Sequence, residues 1–149
     1  MRAFVGVGAN LGDREATIRE AVRLLGDEVV AVSELRETEP WGYEDQPRFL
    51  NGAILVETER TPRELLDRLL AIERELGRTR GGPRYGPRTI DLDLLLFGDR
   101  AVAEPGLEVP HPRLHERAFA LEPLLDLDPD VELPGRGRVS ALLAGLHSS

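Results

Sequence analysis

The sequence contains neither cysteine nor lysine among its 149 residues, and each absence excludes a class of chemistry. Without cysteine there are no disulfides and no thiolate metal sites, a composition that fits a cytoplasmic protein. All 19 basic residues are arginine, which excludes a catalytic lysine, a Schiff base and a phosphate-loop lysine. No apolar run approaches the roughly 18 residues of a membrane span, and no secretory signal precedes the first strand-like segment. We therefore expect neither a membrane protein nor an exported one.

Positive charge is also in deficit, with a formal net charge of −8. This balance argues against a general surface for nucleic acid or for an anionic membrane, because polyanions bind to basic faces. A local basic pocket remains compatible with it. The hydrophobic content of 41% is enough for one core and too little for two. We predict a single domain over residues 1–149 that acts as a monomer.

Hydrophobic periodicity predicts the element order βαββαβ for the first two thirds of the chain. The predicted strands cover residues 2–7, 29–38, 51–59 and 89–97, and the predicted helices cover residues 14–25, 62–76, 118–127 and 139–146. Asp13 is a predicted N-cap, Thr61 and Glu64 form a predicted capping box, and Gly77 is the predicted end of the second helix. This order predicts a ferredoxin-like α+β fold, an antiparallel-rich sheet covered on one face by helices, with an extra C-terminal helical segment.

The strand that follows Gly86 is the most informative segment. Side chains alternate along a strand, so Asp91 and Asp93 are predicted on one face, opposite to Ile90, Leu92, Leu94 and Leu96. Their Cα atoms would lie roughly 7 Å apart, so the carboxylate oxygens can converge on a pair of Mg²⁺ ions, as two-metal phosphoryl transfer requires. Aspartate is disfavoured in strands, and two neighbouring like charges are unfavourable unless a cation binds between them. The alternative is a pair of solvated polar residues on an open sheet face.

Arginines precede this strand in a loop rich in glycine and proline. They are Arg78, Arg80, Arg84 and Arg88. Guanidinium groups suit the phosphates of a nucleotide, and a loop of this composition can close over a substrate. Histidine and arginine also occur together near His111, where they suit phosphate oxygens. The plainer alternatives are a solvated basic loop and a hydrogen-bonded histidine in a turn.

Several motifs together point to one family. The pattern Gly-Pro-Arg-Thr-x-Asp-x-Asp is complete from Gly86 to Asp93. Further motifs are Gly8 to Glu15, Asp45 to Pro47, Phe49 to Asn51, Val109 to His111 and Arg117 to Phe119. With these motifs the chain resembles the 6-hydroxymethyl-7,8-dihydropterin pyrophosphokinases, which transfer pyrophosphate from ATP to a pterin alcohol in the folate pathway. The resemblance spans nearly the whole chain and implies a ferredoxin-like fold with three mobile catalytic loops.

The resemblance also implies a role for each candidate residue. Asp91 and Asp93 would ligate two Mg²⁺ ions, and Arg78 and Arg88 would be catalytic. The implied ATP-binding residues are Glu73, Arg80, Tyr85, His111 and Arg117. The implied pterin-binding residues are Thr38, Pro40, Trp41, Phe49, Asn51 and Phe119, with the ring stacked between the two phenylalanines. The expected reaction is attack of the pterin hydroxymethyl oxygen on the β-phosphorus of ATP, with AMP leaving.

Two other functions fit parts of the pattern. A two-metal nucleotidyltransferase or cyclase of the ferredoxin-like palm type also places paired aspartates on a sheet, and it would release pyrophosphate. Such an enzyme needs a nucleic-acid or second-nucleotide surface, which the acidity and the aromatic content of 5% disfavour. An RNA-binding ferredoxin-like module would carry basic and aromatic residues across the sheet in place of Asp91 and Asp93. The sequence leaves open whether Asp93 accepts the proton in the expected reaction or whether a dedicated base is needed at all.

Overall fold

The computed structural model describes residues 1–10, 12–38, 49–79 and 90–147. Its main sheet has the strand order β2-β4-β1-β5, and β3 pairs with β4 beside β2. The strands are β1 (Arg2–Ala9), β2 (Val29–Val32), β3 (Arg36–Thr38), β4 (Phe49–Glu57) and β5 (Asp91–Phe97). Every pairing in this sheet is antiparallel. The connecting helices are α1 (Arg14–Leu25) and α2 (Pro62–Thr79).

Both connecting helices begin where local capping chemistry predicts. The side chain of Asp13 accepts the N–H of Ala16 at 3.1 Å, which satisfies one of the unpaired donors at the start of α1. Before α2, the N–H of Thr61 donates to Glu64 Oε1 at 2.8 Å, and the N–H of Glu64 donates to Thr61 Oγ1 at 3.1 Å. This reciprocal pair is the predicted capping box.

Several predicted boundaries are wrong: β1 ends at Ala9 and not at residue 7, β4 covers Phe49–Glu57 and not residues 51–59, and β5 begins at Asp91 and not at residue 89. Two further differences have a local cause. The strand predicted over residues 29–38 is two strands. The N–H of Ser33 still donates to the carbonyl oxygen of Ala53 at 2.9 Å, but the return bond of this pair goes to the side chain of Ser33 and not to its backbone. Its Oγ accepts the N–H of Ala53 at 2.8 Å and donates to the carbonyl oxygen of Glu34 at 3.0 Å. The second helix does not end at Gly77 but continues to Thr79. Gly77 does not adopt the positive φ of a helix-terminating glycine, so the helix passes through it.

Helices cover both faces of the sheet, whereas the sequence predicted one covered face. On one face, α1 and α2 pack against β1, β4 and β5, and α2 buries an apolar stripe there that comprises Leu65, Leu69, Ile72 and Leu76. On the other face, the sheet packs against α3 (Ala118–Leu127) and α4 (Val139–His147). The reason lies in β1 and β4, which are apolar on both faces: Val5 and Ile54 belong to the first core, and Phe4 and Leu55 to the second. A sheet with two apolar faces needs a cover on each.

Two small antiparallel ribbons complete the described fold. The first pairs β6 (Val102–Glu104) with β7 (Leu107–Val109), and the second pairs β8 (Glu132–Leu133) with β9 (Gly137–Arg138). Within the described ranges, none of the helices combines the length and the apolar character that crossing a bilayer would require.

A bulge in β5 reverses the alternation of its side chains. The register with β1 shifts by one residue between Leu94 and Leu96, which leaves Leu95 as the extra residue. Leu94 therefore packs in the core beneath α1 and α2, as predicted, while Leu95 and Leu96 pack in the core on the other face. The predicted face of Leu96 is wrong because the prediction assumed a regular strand. Asp91 and Asp93 precede the bulge and keep their predicted alternation with buried Leu92.

Candidate active site

The paired aspartates lie at the start of β5, the edge strand of the main sheet. On the neighbouring strand, Gly8 pairs with Asp91 and Gly6 pairs with Asp93. Paired residues in an antiparallel sheet have their side chains on the same face, so each glycine leaves room beside a carboxylate for another side chain: Asn51 lies over Gly8, and Leu95 lies beside Gly6. Asp91 is half-buried and Asp93 is exposed, while Leu92 between them is buried.

Glu73 of α2 fixes the backbone between the two aspartates. Its Oε2 accepts the N–H of Leu92 at 2.8 Å. Among the described residues no strand pairs with the outer side of β5, so the carboxylate takes the place of a strand partner for this donor. The bond ties α2 to the segment that carries the candidate metal ligands.

Two clefts meet at Asp93. We call the first, of about 380 Å³, the aromatic cleft; its lining includes Thr38, Phe49, Asn51, Asp91, Asp93, Arg117 and Phe119. We call the second, of about 640 Å³, the hairpin cleft; it lies between α2 and the β6–β7 ribbon, and its lining includes Leu66, Glu73, Asp93, Pro105 and His111. Asp93 is therefore the candidate residue that both clefts share.

The aromatic cleft brings together four of the predicted pterin-binding residues. Phe49 and Phe119 contribute aromatic rings, and the Nδ2 of Asn51 donates to the Oγ1 of Thr38. Arg117 was expected beside ATP, and the structure places it in the lining of this cleft, with its guanidinium carbon 5.9 Å from the ring centre of Phe119. The arrangement offers flat apolar surface together with a few polar groups, which suits a heteroaromatic ligand.

His111 lines the hairpin cleft in a fixed orientation. Its backbone N–H donates to the carbonyl oxygen of Leu95 at 3.0 Å, and its Nδ1 accepts the N–H of Arg113 at 3.4 Å. Burial lowers the pKa of His111, and the negative charge of Asp93 opposes that effect. The ring is therefore neutral at pH 7, and the bond to Nδ1 assigns its proton to Nε2. A neutral N–H donor of this kind can bind a phosphate oxygen.

The donor set of the aspartates suits a hard cation. Within the described ranges, no group of three or more histidine, aspartate or glutamate side chains converges on one point. Asp91 and Asp93 alone would leave most positions around a Mg²⁺ ion open. Mg²⁺ commonly completes its octahedron with water and substrate phosphates, so a two-carboxylate site fits this ion best when a nucleotide is bound.

Some predicted site residues lie outside the described residues. They are Pro40, Trp41, Arg80, Tyr85 and Arg88. Arg78 lies in the last turn of α2, where the backbone alone is described. The roles that the resemblance implies for these residues stay predictions.

Several parts of the site were missed from the sequence. Gly6 and Leu95 line the aromatic cleft, and Gly8 lies between its two polar sides. A signal was present, because two glycines at alternate positions of a strand often mark a close approach to that face. The hairpin cleft was also missed, because one of its walls depends on a contact between distant parts of the chain. Arg63 Nη2 donates to the carbonyl oxygen of Pro105 at 2.8 Å, and the sequence does not show this bond.

An antiparallel α+β sheet with a pair of carboxylates, one of which lines two adjacent clefts, is the construction expected of an enzyme that transfers a phosphoryl group between two bound substrates. Comparison with known proteins agrees: the family model for 7,8-dihydro-6-hydroxymethylpterin-pyrophosphokinase matches residues 4–129. The chain belongs to this family, which confirms the resemblance inferred from its motifs.

Curated relatives are similar over most of their length. The 2-amino-4-hydroxy-6-hydroxymethyldihydropteridine pyrophosphokinase of Bacillus subtilis is 48% identical over 134 residues, covering 87% of this chain and 80% of the relative. The protein of the same name from Pseudomonas aeruginosa is 46% identical over 147 residues, covering 96% of this chain and 90% of the relative.

Solved structures confirm the fold. The crystal structure of an HPPK-DHPS in complex with substrates has a TM-score of 0.76 at 14% identity, covering 97% of this chain and 43% of the longer one. The wild-type HPPK-DHPS of Plasmodium falciparum has a TM-score of 0.74 at 15% identity, covering 99% of this chain and 41% of that one. The chain thus spans less than half of these two structures.

Proposed function

We propose that this chain transfers pyrophosphate from ATP to 6-hydroxymethyl-7,8-dihydropterin, giving AMP and the pterin diphosphate in folate biosynthesis. Membership of the pyrophosphokinase family supports the reaction. The observation that carries it to particular residues is the position of Asp93, which lines both clefts. A pterin in the aromatic cleft and a nucleotide in the hairpin cleft would meet beside this carboxylate, and such proximity is a large part of catalysis between two substrates.

The aromatic cleft is the proposed pterin site. Stacking on Phe49 and Phe119 would bind the flat ring, and Asn51 would bind its polar edge. The bond from Asn51 to Thr38 holds the carboxamide in one orientation, which favours selection of a matching donor and acceptor pattern. Pro40 and Trp41 are proposed to complete the site.

The hairpin cleft is the proposed ATP site. The neutral His111 would donate its Nε2–H to a phosphate oxygen, and Glu73 lies in the same lining. Arg80 and Tyr85 are further proposed ATP-binding residues, and so is Arg117, which would reach the phosphates from the lining of the aromatic cleft. Arg78 and Arg88 are proposed to stabilise the charge that develops on the phosphate oxygens as AMP leaves.

Two Mg²⁺ ions are the proposed cofactors, with Asp91 and Asp93 as their protein ligands. When bound, the ions supply positive charge against the phosphates and make the attacking hydroxyl group more acidic. Asp93 is also the proposed proton acceptor, since it is the carboxylate shared by both clefts. We further propose that the protein works as a cytoplasmic monomer of one domain, with no nucleic-acid or membrane partner.

The direct test is to incubate the purified protein with ATP, Mg²⁺ and 6-hydroxymethyl-7,8-dihydropterin and to separate the nucleotides. We expect AMP to appear in step with the pterin diphosphate. ADP as the product would contradict pyrophosphoryl transfer, and pterin-independent release of pyrophosphate would favour the nucleotidyltransferase alternative.

A matched set of variants tests the residues. We expect Asp91→Ala or Asp93→Ala to lower kcat by at least about 100-fold, in the range seen when one transition-state contact is removed. Asp99→Ala is the control, because Asp99 lies in the exposed turn after β5 and lines neither cleft. Full activity in both Asp91→Ala and Asp93→Ala would refute the metal site.

A further inference from the structure

One row of three residues crosses the centre of the aromatic cleft. Gly8 of β1 pairs with Asn51 of β4 on one side and with Asp91 of β5 on the other. Neighbouring strands lie roughly 4.8 Å apart, so Asn51 and Asp91 flank Gly8 across about 10 Å. Paired side chains share a face, which places the proposed pterin-binding amide and a proposed metal ligand on either side of a residue without a side chain.

The space above Gly8 is filled by the carboxamide of Asn51. A Cβ at this position would lie 2.6 Å from Oδ1 of Asn51 and 3.7 Å from its Cγ. The first distance is well inside the contact limit of a carbon and an oxygen atom. The other near atom, the carbonyl oxygen of Leu50 at 3.8 Å, would make an ordinary contact. Asn51 alone therefore excludes a side chain here.

The backbone does not require glycine at this position. Gly8 lies in a regular part of β1 and has no positive φ. In such a position glycine is unfavourable, because it loses more conformational entropy on folding than alanine does. Gly6 on the same strand makes a useful contrast, since the atoms nearest to its Cβ would belong to the side chain of Leu95, the first at 3.2 Å.

The position of the Asn51 carboxamide is determined from two sides. Its Nδ2 donates to Oγ1 of Thr38, and its Oδ1 occupies the space that a Cβ on residue 8 would need. A methyl group on residue 8 would force Oδ1 away, and rotation of the amide would turn Nδ2 away from Thr38. The side chain would then lose both its orientation and its hydrogen bond.

We propose that Gly8 is a positioning residue for pterin recognition: its missing side chain allows the Asn51 carboxamide to lie over β1 in the orientation that binds the pterin edge. The inference rests on the proposed function, which assigns Asn51 to the pterin. Gly8 does not line the hairpin cleft, so its effect is specific to one substrate. The glycine thus sets pterin affinity without touching ATP.

The test is a double-mutant cycle with Gly8→Ala, Asn51→Ala and the double variant, assayed by AMP release. We expect Gly8→Ala to raise the pterin KM about tenfold or more and to change the ATP KM less than threefold. The double variant should have the pterin KM of Asn51→Ala, because no amide remains to be displaced. Gly145→Ala in α4 is the control, since its added Cβ would meet nothing within 4 Å apart from its chain neighbours and the backbone of its own helix.

Three results would overturn the proposal. The first is a pterin KM of Gly8→Ala within threefold of the wild type. The second is a rise of both KM values together, which indicates general distortion. The third is a double variant whose rise in pterin KM equals the product of the rises in the two single variants. This result would mean that the methyl group obstructs the ligand itself and does not act through Asn51.

Folding provides a readout that needs no substrate. We expect Gly8→Ala to lower the melting temperature and the double variant to recover most of that loss. If Gly8→Ala does not fold, recovery of the fold in the double variant supports the contact with Asn51, and continued unfolding refutes it. A wild-type protein without pterin-dependent AMP would refute the proposed function separately, and the melting temperatures would still decide the steric argument.

Discussion

Replacement of Glu73 tests whether the strand of the paired aspartates is held from outside the sheet. In Glu73→Ala the N–H of Leu92 loses its acceptor, whereas in Glu73→Gln an amide oxygen can still accept it. A hydrogen bond to a charged group contributes about 1.5–3 kcal/mol. The donor lies at a sheet edge, where water can replace the lost partner, so we expect the lower end, about 1.5 kcal/mol for alanine. Glutamine should lose roughly half as much, because neutral bonds are about half as strong.

The assay combines unfolding with kinetics. For a domain of this size, 1.5 kcal/mol corresponds to a fall in Tm of about 3–6 °C. We also expect Glu73→Ala to need more Mg²⁺ for half-maximal rate, since the backbone between the two carboxylates is no longer held. Glu75→Ala, at an exposed position of the same helix, controls for helix propensity.

Two outcomes would refute this reasoning. Equal Tm values for the wild type and Glu73→Ala would show that the bond to Leu92 contributes nothing. Equal loss of kcat in both variants, with Tm preserved in Glu73→Gln, would show that the carboxylate acts on the substrate and not through the strand.

The other predictions concern pH and the core. Arg36 donates to Asp126 at 2.9 Å and lowers the pKa of that carboxyl group. The ion pair therefore adds less than about 1 kcal/mol to the unfolding free energy above the unfolded pKa of about 3.9, and this stabilisation is lost as pH falls below that value. The pH dependence of the unfolding free energy should accordingly differ between the wild type and Arg36→Gln in this acid range. Burial lowers the pKa of His111, so the unfolded chain binds a proton at this residue more readily than the folded protein does. The unfolding free energy of the wild type should therefore decrease as pH falls through about 6.5, and His111→Gln should not show this decrease in denaturant unfolding across pH. Leu69 is fully buried, and Leu69→Ala should reduce the unfolding free energy by about 2–5 kcal/mol in the same assay; a smaller loss would mean that the core collapses around the cavity.

The parts of the fold that depend on local chemistry were predictable from the sequence. The capping bonds of Asp13 and of Thr61 with Glu64 join residues three positions apart, so the sequence contains both partners side by side. The break at Ser33 was not predictable in this way. It depends on a bond to Ala53, 20 residues further along the chain.

In the candidate site, too, local features could be predicted from the sequence and features that depend on tertiary packing could not. The common face of Asp91 and Asp93 follows from strand alternation and agrees with the structure. The meeting of two clefts at Asp93 depends on the packing of α2, the β6–β7 ribbon and the start of α3 around one strand. The importance of Gly8 was equally hidden, because its neighbour Asn51 comes from a distant part of the chain.

The bulge at Leu95 has a consequence for how this sequence can diverge. Five consecutive residues of β5 have three different surroundings. Asp93 lines both clefts, Leu94 and Phe97 lie in the core beneath α1 and α2, and Leu95 and Leu96 lie in the core on the other face. Removing one residue here would restore regular alternation and would move either Asp93 or Phe97 to the wrong face. Changes of residue type can accumulate along this strand, but changes of length cannot. We therefore expect insertions and deletions in relatives to fall outside residues 91–97.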